Sequence, residues 1–423
     1  MKTKKLVFTG FVVLLLLIPL TGVFAAGTKE SANNGPVTLR MWKGPHTPDD
    51  NAVFAPVIKD FEAAHPNITI EYTPIPWDTM NEKYTTAFAS GNPPDLIYGF
   101  TGGYVDNVVG KCWDYRKLFS KAEFDQLMTG VDPGLLPEFT TGGKLVGIPF
   151  FSAGAAFVYN IDMLKAAGFD KPPDTVADLV TYSKAMTKNG NYGYGQLSYD
   201  TGEAKPEFFL YAYGCNLFNM DMTDIDYNRP EGLQAFKLID QLWNKDHSAV
   251  PIGLYPGTTM TDAFFQGKFA MWVTHSQIGV NLKDNPNFKL GVSKMPKGPG
   301  TALAGGRGTY VGSACWCIPE SEKNLDAAKA LVKFMYQPKY VGMLAESFNF
   351  VPSNKDVVIK MDAISKAFAD VYRTYGVSYR FGSHVNEVKE AVWRAMQALQ
   401  SGAIGPDVAW QQAVKEGKAA LQK

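Results

Sequence analysis

The stretch VTLRMWKGPHTPDDNAVFAPVIKDFEAAHPNITIEY, residues 37–72, decides the architecture. Residues 37–42 alternate apolar and polar in the manner of a strand. Thr47-Pro48-Asp49-Asp50 has the chemistry of a helix start: a capping hydroxyl, proline at the first position and acids in the first turn. Phe54, Val57, Ile58 and Phe61 then recur on one helical face, Ala64-His65-Pro66 stops it, and Ile68, Ile70 and Tyr72 alternate as a second strand. Outward from there, Asp78 opens a helix with Met80, Tyr84, Ala87 and Phe88 on one side. Gly91-Asn92-Pro93-Pro94 ends it, and residues 96–98 read as a third strand. Strand and helix in alternation predict an α/β fold on a parallel sheet.

The pattern restarts further on. An apolar segment at 147–151 leads into a strand at 155–160, Asp174 caps a helix that runs to Met186, and residues 231–243 are amphipathic. A helix at 260–267 precedes a strand at 269–274; strands follow at 290–295 and 310–318, and a helix at 325–336. The end, 385–421, is helical with a break at 402–406. Two α/β units with several crossings between them account for this order.

The first residues have another purpose. Lys2, Lys4 and Lys5 precede an apolar stretch from Leu6 to Leu20, and small residues surround Ala25. That is the charge, apolar run and cleavage pattern of a secretory signal. The run is shorter than the ~20 residues a spanning helix needs. Cleavage is expected near Ala25, residues 26–36 form a flexible lead-in, and export to the periplasm is the expected result. No cysteine precedes Cys112, so no lipid-bearing cysteine stands at the cleavage site.

Composition excludes several classes. Charged residues are 19% of the chain and hydrophobic ones 46%, the balance of a packed protein. Lys+Arg and Asp+Glu are 41 each, and no run of five like charges occurs. Nucleic acid binding requires a basic surface, so it is not expected. Cysteines stand at 112, 215, 315 and 317, a poor zinc spacing. Buried free thiols are the favoured reading; a disulfide remains open, with three pairings that sequence does not separate.

Catalytic signatures are missing. There is no G-x-S-x-G and no H-E-x-x-H, and the histidines stand apart at 46, 65, 247, 275 and 384. Gly267-Lys268 resembles the end of a P-loop, but Phe269 and Asp262 occupy positions that the motif gives to a hydroxyl residue and a glycine. Gly306-Arg307-Gly308 opens like a dinucleotide fingerprint, but Val311 stands at its third glycine. No cofactor and no metal are expected, and the chain reads as a binder, not an enzyme.

Several stretches in order carry a resemblance. They are Val37-Thr-Leu-Arg-Met-Trp42 with Phe61-Glu-Ala-Ala-His-Pro66, Ala89-Ser-Gly-Asn-Pro-Pro-Asp95, and Gly147-Ile-Pro-Phe150 with Val158-Tyr-Asn160 and Met163-Leu-Lys-Ala-Ala-Gly168. Further along come Phe265-Gln-Gly-Lys-Phe-Ala-Met-Trp272, Gly305-Gly306 ahead of Cys317-Ile-Pro319, and Asn349-Phe-Val-Pro-Ser353. With these the chain resembles the family 1 extracellular solute-binding proteins, the maltose-binding-protein-like sugar-binding components of ABC importers. The resemblance implies a two-lobed periplasmic-binding-protein fold with the ligand in the cleft. Lobe one would comprise 37–149 and 297–348, lobe two 150–296 and 349–423. It also implies a monomer that takes a mono- or oligosaccharide and hands it to the permease subunits of an ABC importer. Competing readings are a secreted carbohydrate-active enzyme, a binder of glycerol phosphate, polyamine or metal chelate, and a structural envelope protein.

A sugar presents hydroxyls and apolar C–H faces, so its site combines aromatic plates with amides and charges. Strand ends with that mixture are Trp42 and Lys43; Tyr98, Phe100 and Thr101; Phe151; and Trp272, Thr274 and His275. Tyr211 and Tyr213, and the glycine-rich Gly306, Arg307 and Tyr310, add to them. Core packing is the alternative for each aromatic, and a salt bridge for Arg307. The segments 149–151, 290–296 and 349–352 are the hinge candidates.

Overall fold

The computed structural model describes residues 35–196, 207–219, 221–256, 259–299, 304–382 and 384–422. The signal segment 1–25 and most of the lead-in lie outside them. The fold and the site both lie within the unit Pro36–Lys423.

β1 (Val37–Lys43) buries Leu39 and Met41 and runs parallel to β2 (Ile68–Pro74) on one side and β3 (Leu96–Phe100) on the other. α1 (Asp50–Ala64) and α2 (Trp77–Ala89) are the crossovers. α1 buries Phe54, Val57 and Phe61; α2 buries Met80, Tyr84 and Ala87. The cap of α1 is Asp49, not Thr47, its carboxylate accepting from the Ala52 amide. Asp50 is turned inward instead: it accepts from the His46 amide at 2.8 Å and from Lys43 Nζ at 2.7 Å, which delays the helix. α2 opens at Trp77 after Pro76, with Asp78 in its first turn and not at the cap.

After β3 the sheet changes character. β4 (Phe151–Asn160) is a ten-residue strand with two sets of partners. Its first half is antiparallel to the strand at 309–317. Its second half is antiparallel to strands at 269–275 and 290–293. α3 (Val176–Met186) starts on a capping box of Thr175 and Asp178. Asp174, the expected cap, pairs with Arg307 and Lys294. β5 (Tyr192–Gly195), α4 (Pro230–Asp240), α5 (Thr259–Phe265), β6 (Phe269–His275) and β7 (Leu290–Ser293) complete this half. β8 (Thr309–Cys317) returns antiparallel between β4 and β3. The path β2-β1-β3-β8-β4-β6-β5 is therefore one mixed sheet, parallel at both ends and antiparallel where β4 and β8 cross. The wholly parallel sheet expected from sequence fails there, because the strands that carry the chain between the two α/β units enter each half of the sheet against its own direction.

α6 (Leu325–Met335), α7 (Pro338–Phe348), α8 (Ala363–Tyr375), α9 (Val385–Gln400) and α10 (Pro406–Ala420) cover the faces. A large apolar core runs through the sheet, and a second cluster gathers Val158, Phe264, Phe269, Trp272, Leu290, Phe368 and Tyr372 under α5 and α8. No helix among the described residues is long and apolar enough to cross a membrane.

Candidate ligand site

β1, β3 and β6 end at one place, where the two halves of the sheet meet. His46, in the turn after β1, stands at the centre and is buried. Its Nε2 is 3.0 Å from the Tyr98 hydroxyl, and its Nδ1 accepts from the Gln277 amide at 3.3 Å. Gln277 follows β6, so this contact ties the two halves. The rings of Trp77, Tyr98, Phe348 and Phe350 stand 4.6–5.4 Å from the imidazole. Burial, and then the nearby charge of Lys43, holds the His46 pKa well below the usual histidine range, so the ring is neutral.

Trp77 carries the wall outward: its ring is 4.8 Å from Tyr104, and its indole N–H donates to Pro45 O at 2.6 Å. Gly102 and Gly103, with φ of 108° and 122°, let the chain turn there, and a Cβ on Gly102 would come within 2.7 Å of the Tyr310 hydroxyl. Tyr310 donates to Thr101 O, and its ring is 5.6 Å from His275. Asn349, the left-handed residue (φ 54°) that ends α7, places its amide against Gly279. Three buried polar atoms here have no hydrogen-bond partner among the described residues: Ser276 Oγ, Gln277 Oε1 and Asn349 Nδ2.

Of the residues singled out by sequence, Tyr98, Phe100, Thr101, His275 and Tyr310 come together at this junction. Others are committed elsewhere. Lys43 is fully buried in an ion pair with Asp50, which also accepts from Tyr72. Burial lowers the Lys43 pKa to about 8 against the opposing pull of Asp50. Trp42 is half-buried and stacks on Tyr84. Phe151 lies in a stack with Phe150, Phe348 and Phe350. Tyr211 bonds the Tyr379 hydroxyl, and Tyr213 packs half-buried on the core. Trp272 is fully buried between Phe264 and Phe269. Thr274 is buried on the same strand. Gly306 accepts from the Gly298 amide, and Arg307 binds Asp174 and Met295 O. Sequence reasoning missed His46, Trp77, Tyr104, Ser276, Gln277 and Asn349. The available signal was position: each lies within a few residues after a strand or at a helix end.

The cations near the junction are engaged. Lys43 has Asp50; Lys389, from α9, donates to Gly102 O and lies over the Tyr104 and Trp393 rings. Beside it, burial raises the Asp106 carboxyl to about 7 against the Gly382 N–H and the Lys389 charge that oppose the shift. The junction thus offers aromatic faces, hydroxyls and neutral amides, a chemistry for an uncharged polar molecule.

The model of the bacterial extracellular solute-binding proteins matches residues 57–369. The chain belongs to that family. A binding protein of Brucella abortus (strain 2308) is 26% identical over 414 residues, covering 96% of this chain and 98% of that protein. The sn-glycerol-3-phosphate-binding periplasmic protein of Escherichia coli (strain K12) is 22% identical over 64% of this chain and 63% of its own. Among solved structures, the GacH receptor of Streptomyces glaucescens, described unliganded and in complex with acarbose, aligns with a TM-score of 0.77 at 23% identity, covering 92% of this chain and 99% of that one. Maltose-bound MalE3 of T. maritima aligns at 0.76 and 20% identity, covering 90% and 99%. This solute-binding protein has their two-lobed fold.

Proposed function

We propose that this solute-binding protein is exported by its 1–25 segment, captures a mono- or oligosaccharide in the interlobe cleft without chemical turnover, and delivers it to an ABC permease. The observation that carries the reading is the set of buried, unpartnered Ser276 Oγ, Gln277 Oε1 and Asn349 Nδ2 beside the Trp77–Tyr104 wall. Sugar hydroxyls complement such donor and acceptor atoms, and aromatic faces take the C–H side of a pyranose. Acarbose and maltose, the ligands of the two solved relatives, have that chemistry. Lobe one then comprises 37–149 and 297–348 and lobe two 150–296 and 349–423, closing about 149–151, 290–296 and 349–352. Tyr98, Phe100, Thr101, His275 and Tyr310 belong to the cleft with His46, Trp77, Tyr104 and the three polar groups.

The glycerol phosphate alternative, favoured by the Escherichia coli relative, needs a free cation for its phosphate, and Lys43 and Lys389 are engaged. A thermal-shift screen of mono- and oligosaccharides, sn-glycerol 3-phosphate and spermidine, followed by calorimetry, separates the readings. A sugar that raises Tm and binds with defined stoichiometry is expected. Stabilisation by glycerol phosphate or spermidine alone, or accumulation of reducing ends during incubation, overturns the proposal.

A further inference from the structure

A second set of buried polar atoms lies along the same aromatic wall, beyond Tyr104. The first turns of α9 supply most of it. Asn386, Lys389 and Trp393 are spaced i, i+3 and i+7, so they share one helix face, while Val388, Val392 and Leu399 pack in the core. That face meets the Gly102–Gly103 turn. A Cβ on Gly103 would come within 2.2 Å of Asn386 Oδ1 and 3.3 Å of Lys389 Nζ, and Lys389 donates to Gly102 O. Asp106 opens the short helix after the turn, and its Oδ1 accepts from the Gly382 N–H at 2.7 Å. Asp106 Oδ2, Trp393 Nε1 and Asn386 Nδ2 have no hydrogen-bond partner among the described residues, although Asp106 and Trp393 are only 5% and 8% exposed. An unmet buried polar atom costs free energy, so several in one place mark where a polar group docks. Rings connect this place to the first group. His46 and Trp77 stand 5.1 Å apart and Trp77 and Tyr104 4.8 Å; Lys389 Nζ is 5.8 Å from the Tyr104 ring and 4.8 Å from that of Trp393. Ser276, Gln277 and Asn349 thus stand at the His46 end of the wall, and Asp106, Asn386 and Trp393 at the Lys389 end.

We infer that the cleft holds sugar rings in succession, the second of them bound by Asp106, Asn386 and Trp393, so that the ligand is an oligosaccharide and not a monosaccharide. This rests on the sugar-binding reading above and fixes the length of the sugar. The Trp77 and Tyr104 rings lie between the two polar groups, and a pyranose is the size of one such ring, so a single sugar ring meets one group and leaves the other unmet. The chemistry of the second group suits a neutral ring. Trp393 Nε1 and Asn386 Nδ2 donate; Asp106 Oδ2 accepts when ionised and donates when protonated. A sugar hydroxyl does both, so hydroxyls of one ring complement all three atoms. Lys389 repels a cationic ligand, and its own ammonium is held at Gly102 O between the Tyr104 and Trp393 rings. Trp77 and Tyr104 offer apolar faces to the link between the sugar rings. The second group also draws on two parts of the chain. Asp106 follows β3, in lobe one of the division proposed above, and Asn386 and Trp393 belong to α9, in lobe two. A ring that binds both favours the closed state over the open one.

Calorimetry of the purified protein with glucose, maltose and maltotriose, and with mannose, mannobiose and mannotriose, tests this. In a series that binds, the disaccharide should bind at least ~10-fold tighter than its monosaccharide, the effect of two or three added hydrogen bonds. Asn386→Ala and Trp393→Phe should each weaken the disaccharide about 3- to 10-fold and the monosaccharide less. Gln277→Ala, at the other end of the wall, should weaken both alike. A monosaccharide bound as tightly as its disaccharide overturns the inference and leaves the sugar reading standing. So do Asn386→Ala and Trp393→Phe variants that bind every length as the wild type does. Failure of all these sugars to bind also overturns it, and failure of every sugar in the thermal-shift screen overturns the sugar reading as well. Should Trp393→Phe fail to fold, by circular dichroism, Asn386→Ala and the wild-type length series still decide.

Discussion

At the scale of single residues, the buried Lys43–Asp50 pair and Asp106 make separable predictions. The pair holds the β1–α1 turn that presents His46: Asp50 binds the His46 amide, and Lys43 donates to Gly44 O at 2.6 Å. Lys43→Met leaves the Asp50 carboxylate buried with the His46 amide and Tyr72 hydroxyl but no cation. It should lose about 3 kcal/mol in urea unfolding, and Lys43→Met with Asp50→Leu should lose less than the single change. Asp106 gives a pH dependence. Its carboxyl titrates near 7 in the folded protein, above its unfolded value, and faces Lys389 and Glu387 of α9 and the Gly382 N–H. The folded state therefore binds the proton more tightly. Its contribution to stability is fully present below the unfolded pKa and is lost as pH rises through about 7. Asp106→Asn should remove that slope: its stability relative to wild type should be greater at pH 7.5 than at pH 4.5 by roughly 1–3 kcal/mol. A difference that does not change with pH would locate the shift elsewhere.

At the scale of elements, packing between helix and strand governs what substitutions do. Trp272 fastens β6 to α5 through Phe264 and Phe269, at 5.9 and 5.8 Å between rings. Trp272→Ala opens a cavity in that cluster and should reduce stability by about 3–5 kcal/mol. A stable Trp272→Ala variant with lost sugar binding, by calorimetry, would bring the indole into the cleft. Gly193 in β5 makes a close approach of another kind. A Cβ there would collide with the backbone of Ser183 in α3. Backbone cannot rotate aside, so Gly193→Ala should lose about 1–3 kcal/mol by thermal melt, where alanine at the open Gly110 should change little.

At the scale of the whole molecule, the long strands β4 and β8 belong to both halves of the sheet, and the proposed cleft lies where those halves meet. Sugar binding across that junction should lower the radius of gyration in small-angle scattering and raise Tm with ligand concentration. Binding with an unchanged radius would argue for a site within one lobe.

How much of the molecule was legible before the fold varies by level. Residues 37–72 contain their own strand, helix and strand, because alternation and helical spacing are local properties, and β1, α1 and β2 lie there. The break at 402–406 between α9 and α10 was likewise readable from glycine and proline. What sequence could not determine was which strand runs beside which. β4 changes partners at Gly154–Ala155, and nothing local marks the change. Nor could it decide which aromatics face the cleft. Trp272 and Tyr310 both lie on apolar strands, yet Trp272 turns into the second core and Tyr310 toward Thr101. His46 and Gln277 are 231 positions apart and polar, with no motif to join them. Secondary structure is encoded by neighbours a few residues away. A ligand site is encoded by which faces meet across the crossing strands, and only the tertiary structure supplies that.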